Sequence, residues 1–84
     1  MSLARKKYVP LRRNDRNLIG KAVMTIRTNQ KLTQEDLAGR LAAVGWNVSR
    51  DTVQRIESGQ REVTDIDLRF LAKGLRVPVG EFFQ

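Results

Sequence analysis

The chain has 84 residues, enough for one domain with a modest core, and it contains neither cysteine nor histidine. It therefore lacks disulfides, thiolate metal ligands, the commonest metal ligand and the usual general base at neutral pH. No apolar run approaches the roughly 18 residues needed to span a bilayer, so we expect a cytoplasmic protein without a membrane partner.

The net charge of +7 is concentrated in the first third of the sequence. Residues 1–31 hold nine lysines or arginines against one acid, whereas residues 32–84 hold seven against eight. This asymmetry suggests a polyanionic partner, nucleic acid before membrane. On charge alone, a solvated basic tail that only aids solubility is an equal alternative.

The N-terminal segment, residues 1–13, shows no helical periodicity, and Pro10 disfavours a helical conformation at Val9. We predict a mobile basic arm over these residues, followed by one helical domain over residues 14–84. The first helix should run from about Asp15 to the turn after residue 29. Its apolar stripe consists of Leu18, Ile19, Ala22, Val23 and Ile26.

The second helix is predicted to start at Thr33, which has capping-box spacing to Asp36, and to stop at Gly45. A linker follows, and Ser49 is a suitable N-cap for a third helix that ends at Gly59. Hydrogen-bonding side chains lie on or near the exposed side of this third helix. They are Arg50, Asp51, Thr52, Gln54 and Arg55.

The fourth helix should begin at Thr64 or Asp65, and a last short helix over 79–83 should place Phe82 or Phe83 on the core. The apolar stripe of the fourth helix is Leu68, Leu71, Ala72 and Leu75. With no strand pattern, the predicted fold is all-α, with five short helices.

No constellation of catalytic residues stands out in the sequence. Asp65 and Asp67 are two apart and point to different sides of a helix, so they suit dipole and cap roles better than acid–base chemistry. No glycine-rich phosphate loop occurs. We therefore expect no enzyme, no metal, no cofactor and no small-molecule substrate.

Three stretches in this order resemble the Cro/repressor-type helix-turn-helix proteins, also called the xenobiotic-response-element (XRE) family: TQEDLA, SRDTVQRIESGQRE and LRFLAKGLRVPVGEFF. The resemblance covers about residues 15–83. It implies a phage-repressor-like DNA-binding domain in which the third helix lies in the major groove of DNA. One departure is the linker between the second and third helices, which is longer than the family's compact turn. We expect the second helix to gain a turn and the linker to bulge outward. For Trp46 we prefer a position that covers the end of the second helix over one exposed for stacking on a base.

The resemblance also implies site residues. The implied base-reading residues are Arg50, Asp51, Thr52, Gln54 and Arg55. Phosphate contacts are implied for Gln34 and Arg61, and the basic arm adds Arg12 and Arg13 as backbone or minor-groove contacts. Arg27 and Glu57 match a structural ion pair. For the base-reading side chains, the alternative is a solvated helix face with no ligand.

These features predict a sequence-specific regulator of transcription that binds double-stranded DNA and represses by occupying an operator. A homodimer on an inverted repeat is expected, with half-sites roughly 34 Å apart. We expect Val77, Val79, Phe82 and Phe83 to be ordinary core residues, and the less favoured alternative is that they form part of the dimer seam. The alternatives are a protein-interaction module of the same fold, such as an antitoxin or bridging factor, and a nonspecific binder that uses charge alone.

Overall fold

The computed structural model describes the backbone of residues 13–83 and the side chains of residues 18–83. Four α-helices and one 3-10 helix follow each other, and residues 13–83 contain no strand. They are α1 (Arg13–Asn29), α2 (Gln34–Ala43), α3 (Arg50–Glu57), α4 (Asp65–Leu75) and the 3-10 helix (Val79–Phe83). The predicted all-α class is confirmed. The helix α1 begins two residues earlier than predicted, and most of the predicted arm lies outside the described residues.

The core is formed by one face of every helix. The side chains in it that solvent does not reach at all are Val23, Leu37, Leu41, Val53, Ile56, Leu71 and Leu75. The helix α3 packs against α1 on one side and α2 on another, and α4 supports α2. Leu18 was expected in the core, but it is 60% exposed on the outer side of α1. No helix in the described part of the chain is long and apolar enough to cross a membrane.

Three threonine or serine caps fix where α2, α3 and α4 begin, as the sequence predicted. Thr33 accepts from the Asp36 backbone N–H at 2.9 Å, and the Asp36 carboxylate accepts from the Thr33 N–H at 2.8 Å. The second of these bonds is the main reason that the pKa of Asp36 lies below its ordinary value. Thr64 caps α4 through the same reciprocal pair with Asp67, whereas Ser49 caps α3 only by accepting from the Thr52 N–H.

All four α-helices are followed by a residue in the left-handed conformation: Lys31, Gly45, Gly59 and Arg76. After α2, the Gly45 N–H donates to the Ala42 carbonyl at 3.1 Å and the Trp46 N–H donates to the Leu41 carbonyl at 2.8 Å. This pair of bonds is the Schellman pattern, which turns the chain back along the helix it has just left. The predicted stop at Gly45 is confirmed.

The linker between α2 and α3 does not bulge outward, so that expectation is wrong. Trp46 and Val48 are half-buried and pack against the core cluster. The reversal at Gly45 explains the difference, because it directs Trp46 back onto the domain. The linker is thus an ordered part of the surface beside α3.

A glycine inside α1 allows a close approach between two helix backbones. A Cβ atom at Gly20 would stand 2.3 Å from the Ile56 carbonyl oxygen and 2.7 Å from that of Glu57. Both oxygens belong to the backbone of the last turn of α3. The absence of a side chain at Gly20 therefore lets α1 and α3 meet almost backbone to backbone, which fixes where α3 lies.

Candidate nucleic-acid interface

The helix α3 has one buried face and one free face. Val53 and Ile56 form the buried face and are fully enclosed by the core, so the residues on the opposite side of the helix point to solvent. All five residues predicted to read bases lie on this one helix. Arg50, Asp51 and Arg55 are exposed, whereas Thr52 and Gln54 are half-buried. The described structure thus presents two guanidinium groups and one carboxylate on the outer face of α3.

Two of these exposed side chains form an ion pair along the helix. The Arg55 Nε lies 3.2 Å from the Asp51 Oδ2, and the two side chains are 59% and 65% exposed. Pairs this open to solvent contribute less than about 1 kcal/mol. The pair therefore aligns Arg55 and Asp51 on one side of α3 and can be opened at little cost.

The end of α3 is anchored by a buried ion pair between Arg27 and Glu57. The Arg27 Nε donates to one carboxylate oxygen at 2.6 Å, and Nη2 donates to the other at 3.1 Å. A third nitrogen, Nη1, donates to the Leu32 carbonyl at 2.7 Å. These bonds join three parts of the domain, namely α1, α3 and the turn that precedes α2. The ion pair therefore affects the exposed face of α3 only indirectly, by holding α3 in place.

Gln34, expected to contact phosphate, lies at the start of α2 and is half-buried. Its side-chain nitrogen donates to Glu57 at 2.9 Å and so belongs to the same network. An amide nitrogen carries two hydrogens, so one remains for an anion. The first backbone N–H groups of α2 are further donors at this position.

Arg61, the other residue expected to contact phosphate on the domain, is held by its neighbours. Its Nη2 lies 3.3 Å from the Asp67 carboxylate, and its guanidinium carbon lies 5.6 Å from the centre of the Trp46 ring. Its Nε is buried and has no hydrogen-bond partner among residues 18–83. The side chain remains 40% exposed, so a phosphate would have to share the guanidinium with these partners.

The remaining predicted contacts belong to the basic arm. Arg12 lies outside the described residues, and Arg13 is described only as the backbone start of α1. Both stay predictions. Residues 18–83 also contain no group of carboxylates placed to hold a metal ion.

A groove of about 550 Å³ lies on another side of the domain, between α1 and the 3-10 helix. Its apolar walls include Leu18, Ala22, Ile26, Phe82 and Phe83. Phe82 is buried, as expected of a core residue, but Phe83 is 62% exposed. The C-terminal aromatic residues thus divide between the core and the surface.

The chain belongs to the helix-turn-helix family, because the model of that family matches residues 23–82. The match includes α2, the linker and α3, and it confirms the resemblance that the sequence suggested. In helix-turn-helix proteins the second helix of the motif is the one that enters the DNA major groove, and α3 is the helix at that position in this chain.

The fold is also similar to that of the restriction-modification controller protein C.AhdI from Aeromonas hydrophila, known from a crystal structure. The two chains are 30% identical, with a TM-score of 0.75, and the match covers 84% of this chain and 96% of that chain. No curated protein matches this sequence at a significant level. The family and the controller protein support a DNA-binding regulator of transcription, and not an enzyme.

Proposed function

We propose that this protein represses transcription by binding a specific double-stranded DNA operator. The observation that carries the proposal is the exposed polar face of α3, whose other side is fixed by the core and by the Arg27–Glu57 pair. A firmly held helix with solvent-exposed arginine and aspartate side chains is what direct reading of base edges requires. The likeness to a restriction-modification controller supports gene regulation as the role.

In the proposed complex, α3 lies in the major groove. Arg50 and Arg55 bind guanine O6 and N7, and Asp51 accepts from the cytosine amino group. Thr52 and Gln54 make nearby contacts. Each good bidentate contact discriminates by about 1–3 kcal/mol, which exceeds the cost of opening the exposed Asp51–Arg55 pair.

Phosphate contacts supply most of the affinity in this proposal. The candidates are Gln34 with the first backbone N–H groups of α2, together with Arg12 of the arm and Arg13 at the start of α1. Because neutralising phosphates releases counterions, affinity should fall steeply as salt rises. The excess positive charge of residues 1–31 supports this role for the N-terminal third.

Arg50→Ala or Arg55→Ala should each weaken binding to the preferred site by about 1–3 kcal/mol and relax the preference at one base. The site is first found by selecting bound sequences from random duplex DNA, and each variant is then titrated against it. Arg69→Ala is the matched control, because it removes the same charge from α4 beside a separate groove. It should leave the base preference unchanged.

The same selection distinguishes the rival functions. Equal affinity of the unmodified protein for scrambled duplexes at moderate salt would identify a nonspecific binder instead. Tight binding to a protein partner with no affinity for DNA would identify an interaction module, such as an antitoxin. If Arg55→Ala changed neither affinity nor preference, the role of Arg55 in reading bases would be rejected.

We also propose that the protein binds its operator as a homodimer on an inverted repeat. A single domain offers one recognition helix and few base contacts, whereas two copies double them. Two exposed apolar side chains on the groove between α1 and the 3-10 helix, Leu18 and Phe83, support a second copy as the occupant of that side.

Sedimentation of the DNA complex should give two protein chains per inverted repeat. Phe83→Ser should reduce this to one chain at protein concentrations that saturate the unmodified complex, because it removes apolar area from the seam. Ile66→Ser is the matched control, since Ile66 is 63% exposed on α4 and does not line that groove. One chain of the unmodified protein per specific site would rule the dimer out.

A further inference from the structure

The two segments that flank α3 meet each other on the surface of α4. Trp46, in the linker before α3, stacks on Phe70 of α4 with ring centres 5.7 Å apart and an angle of 25° between the planes. Arg61, in the loop after α3, places its guanidinium carbon 5.6 Å from the centre of the same Trp46 ring. The recognition helix is therefore bracketed by a contact between its own two flanks.

The linker is fitted closely to this position. Gly45 has φ of 107°, a conformation that glycine adopts without the penalty of a Cβ atom. A Cβ built there would make only an ordinary contact with the Phe70 ring, at 3.6 Å, so the position favours glycine for its backbone conformation and not for lack of space. The backbone N–H of Trp46 donates to the Leu41 carbonyl at 2.8 Å. Trp46 is thus held at its backbone by α2 and at its ring by Phe70 of α4.

Arg61 is fitted as closely from the other side. Its Nη2 donates to the Asp67 carboxylate at 3.3 Å, and Asp67 is itself buried and completes the capping box of α4 by accepting from the Thr64 N–H at 3.2 Å. Burying the Arg61 Nε without a hydrogen-bond partner among the described residues costs free energy, and a loosely held side chain would avoid that cost by turning toward solvent. Stacking on Trp46 and pairing with Asp67 offset that cost and hold the guanidinium in place.

We infer that Trp46, Phe70 and Arg61 form an aromatic clamp that sets the orientation of α3 relative to α2 and α4. A short turn between two helices restricts their angle by its length alone, but the linker here is too long for that. The aromatic clamp restricts α3 at its two flanks, in addition to the contacts of its buried face and the Arg27–Glu57 pair. Its members are positioning residues: they act on base recognition through α3, and the inference therefore rests on the proposed sequence-specific binding.

The test compares Trp46→Ala with Trp46→Phe on the preferred duplex and on a scrambled one. Trp46→Ala should lower the ratio of the two affinities by about tenfold, the value of one bidentate base contact. Affinity for scrambled DNA and its salt dependence should stay unchanged, because phosphate contacts tolerate a tilt of α3. Trp46→Phe keeps a ring between Phe70 and Arg61 and should restore the ratio to within about twofold.

Arg61→Gln separates the aromatic clamp from the phosphate role that the sequence suggested. As a clamp residue, Arg61→Gln lowers the affinity ratio and leaves the salt dependence as it was. A phosphate contact would instead weaken all sequences alike and reduce the salt slope by about one, and that result would remove Arg61 from the aromatic clamp. Phe70→Leu, which keeps apolar volume but removes the stacking, replaces Trp46→Ala if the latter fails to fold.

A measurement without DNA keeps the inference testable if sequence-specific binding fails. The chain has no cysteine, so spin labels can be attached at Gly39→Cys in α2 and Arg50→Cys in α3 alone. The distance between the labels should be narrowly distributed in the otherwise unmodified chain and with Trp46→Phe, and broader or shifted with Trp46→Ala. The same distribution in all three would overturn the aromatic clamp.

Discussion

Gly20→Ala should destabilise the domain by about 3 kcal/mol, because an added methyl group has no space between α1 and α3. The new carbon would lie 2.3 Å from a backbone oxygen, and backbone cannot turn aside as a side chain can. Alanine is the better helix former by about 1 kcal/mol, so a destabilisation would show that packing outweighs propensity here.

Urea denaturation of the two proteins measures this difference directly. Gly39→Ala is a matched control, since Gly39 lies in α2 and an added Cβ meets nothing within 4 Å. That variant should gain up to about 1 kcal/mol of stability. If both alanine variants were stabilised equally, the close approach of α1 and α3 would not exist in solution.

Glu57→Leu should destabilise the domain by about 3–5 kcal/mol, because it leaves the Arg27 guanidinium buried without its carboxylate. The two side chains are only 11% and 4% exposed, so water cannot replace the lost partner. Gln34 would lose its acceptor as well. Thermal or urea unfolding in the absence of DNA measures the loss.

The double variant Arg27→Met, Glu57→Leu should recover most of that stability, because it removes the unpaired charge together with the pair. Asp51→Asn is the control, because it also removes one carboxylate from an ion pair, but from the exposed Asp51–Arg55 pair. It should change the free energy of unfolding by less than about 1 kcal/mol. A double variant as unstable as Glu57→Leu would show that the pair is not the cause.

The helix boundaries could be predicted because their causes are local. Thr33, Ser49 and Thr64 each bond to a backbone N–H three residues later, and Gly45 ends α2 through its own left-handed conformation. Cap and turn residues act within a few positions of the chain, so the sequence displays them. The sequence could not show why a glycine is needed at position 20. The group that leaves no room for a side chain there is the Ile56 carbonyl of α3, some 36 positions further along.

The outer face of α3 followed from helical spacing, but the partners of the longer side chains did not. Gln34 and Arg61 were expected to be free for phosphate, and each has an acceptor from another element within 3.3 Å. Which carboxylate a flexible side chain reaches depends on how the helices cross. A partial signal was present: Phe70 lies outside the predicted apolar stripe of α4, and the only tryptophan lies in the unusually long linker.

Because the Arg27–Glu57 pair is buried, added salt should weaken binding to a polyanion without weakening the tertiary structure. Dissolved ions screen charges at the surface, but they reach a pair enclosed by the core far less. Raising the ionic strength should therefore release such a domain from a polyanion while its tertiary structure persists. The same molecule can then leave one duplex and bind the next without refolding.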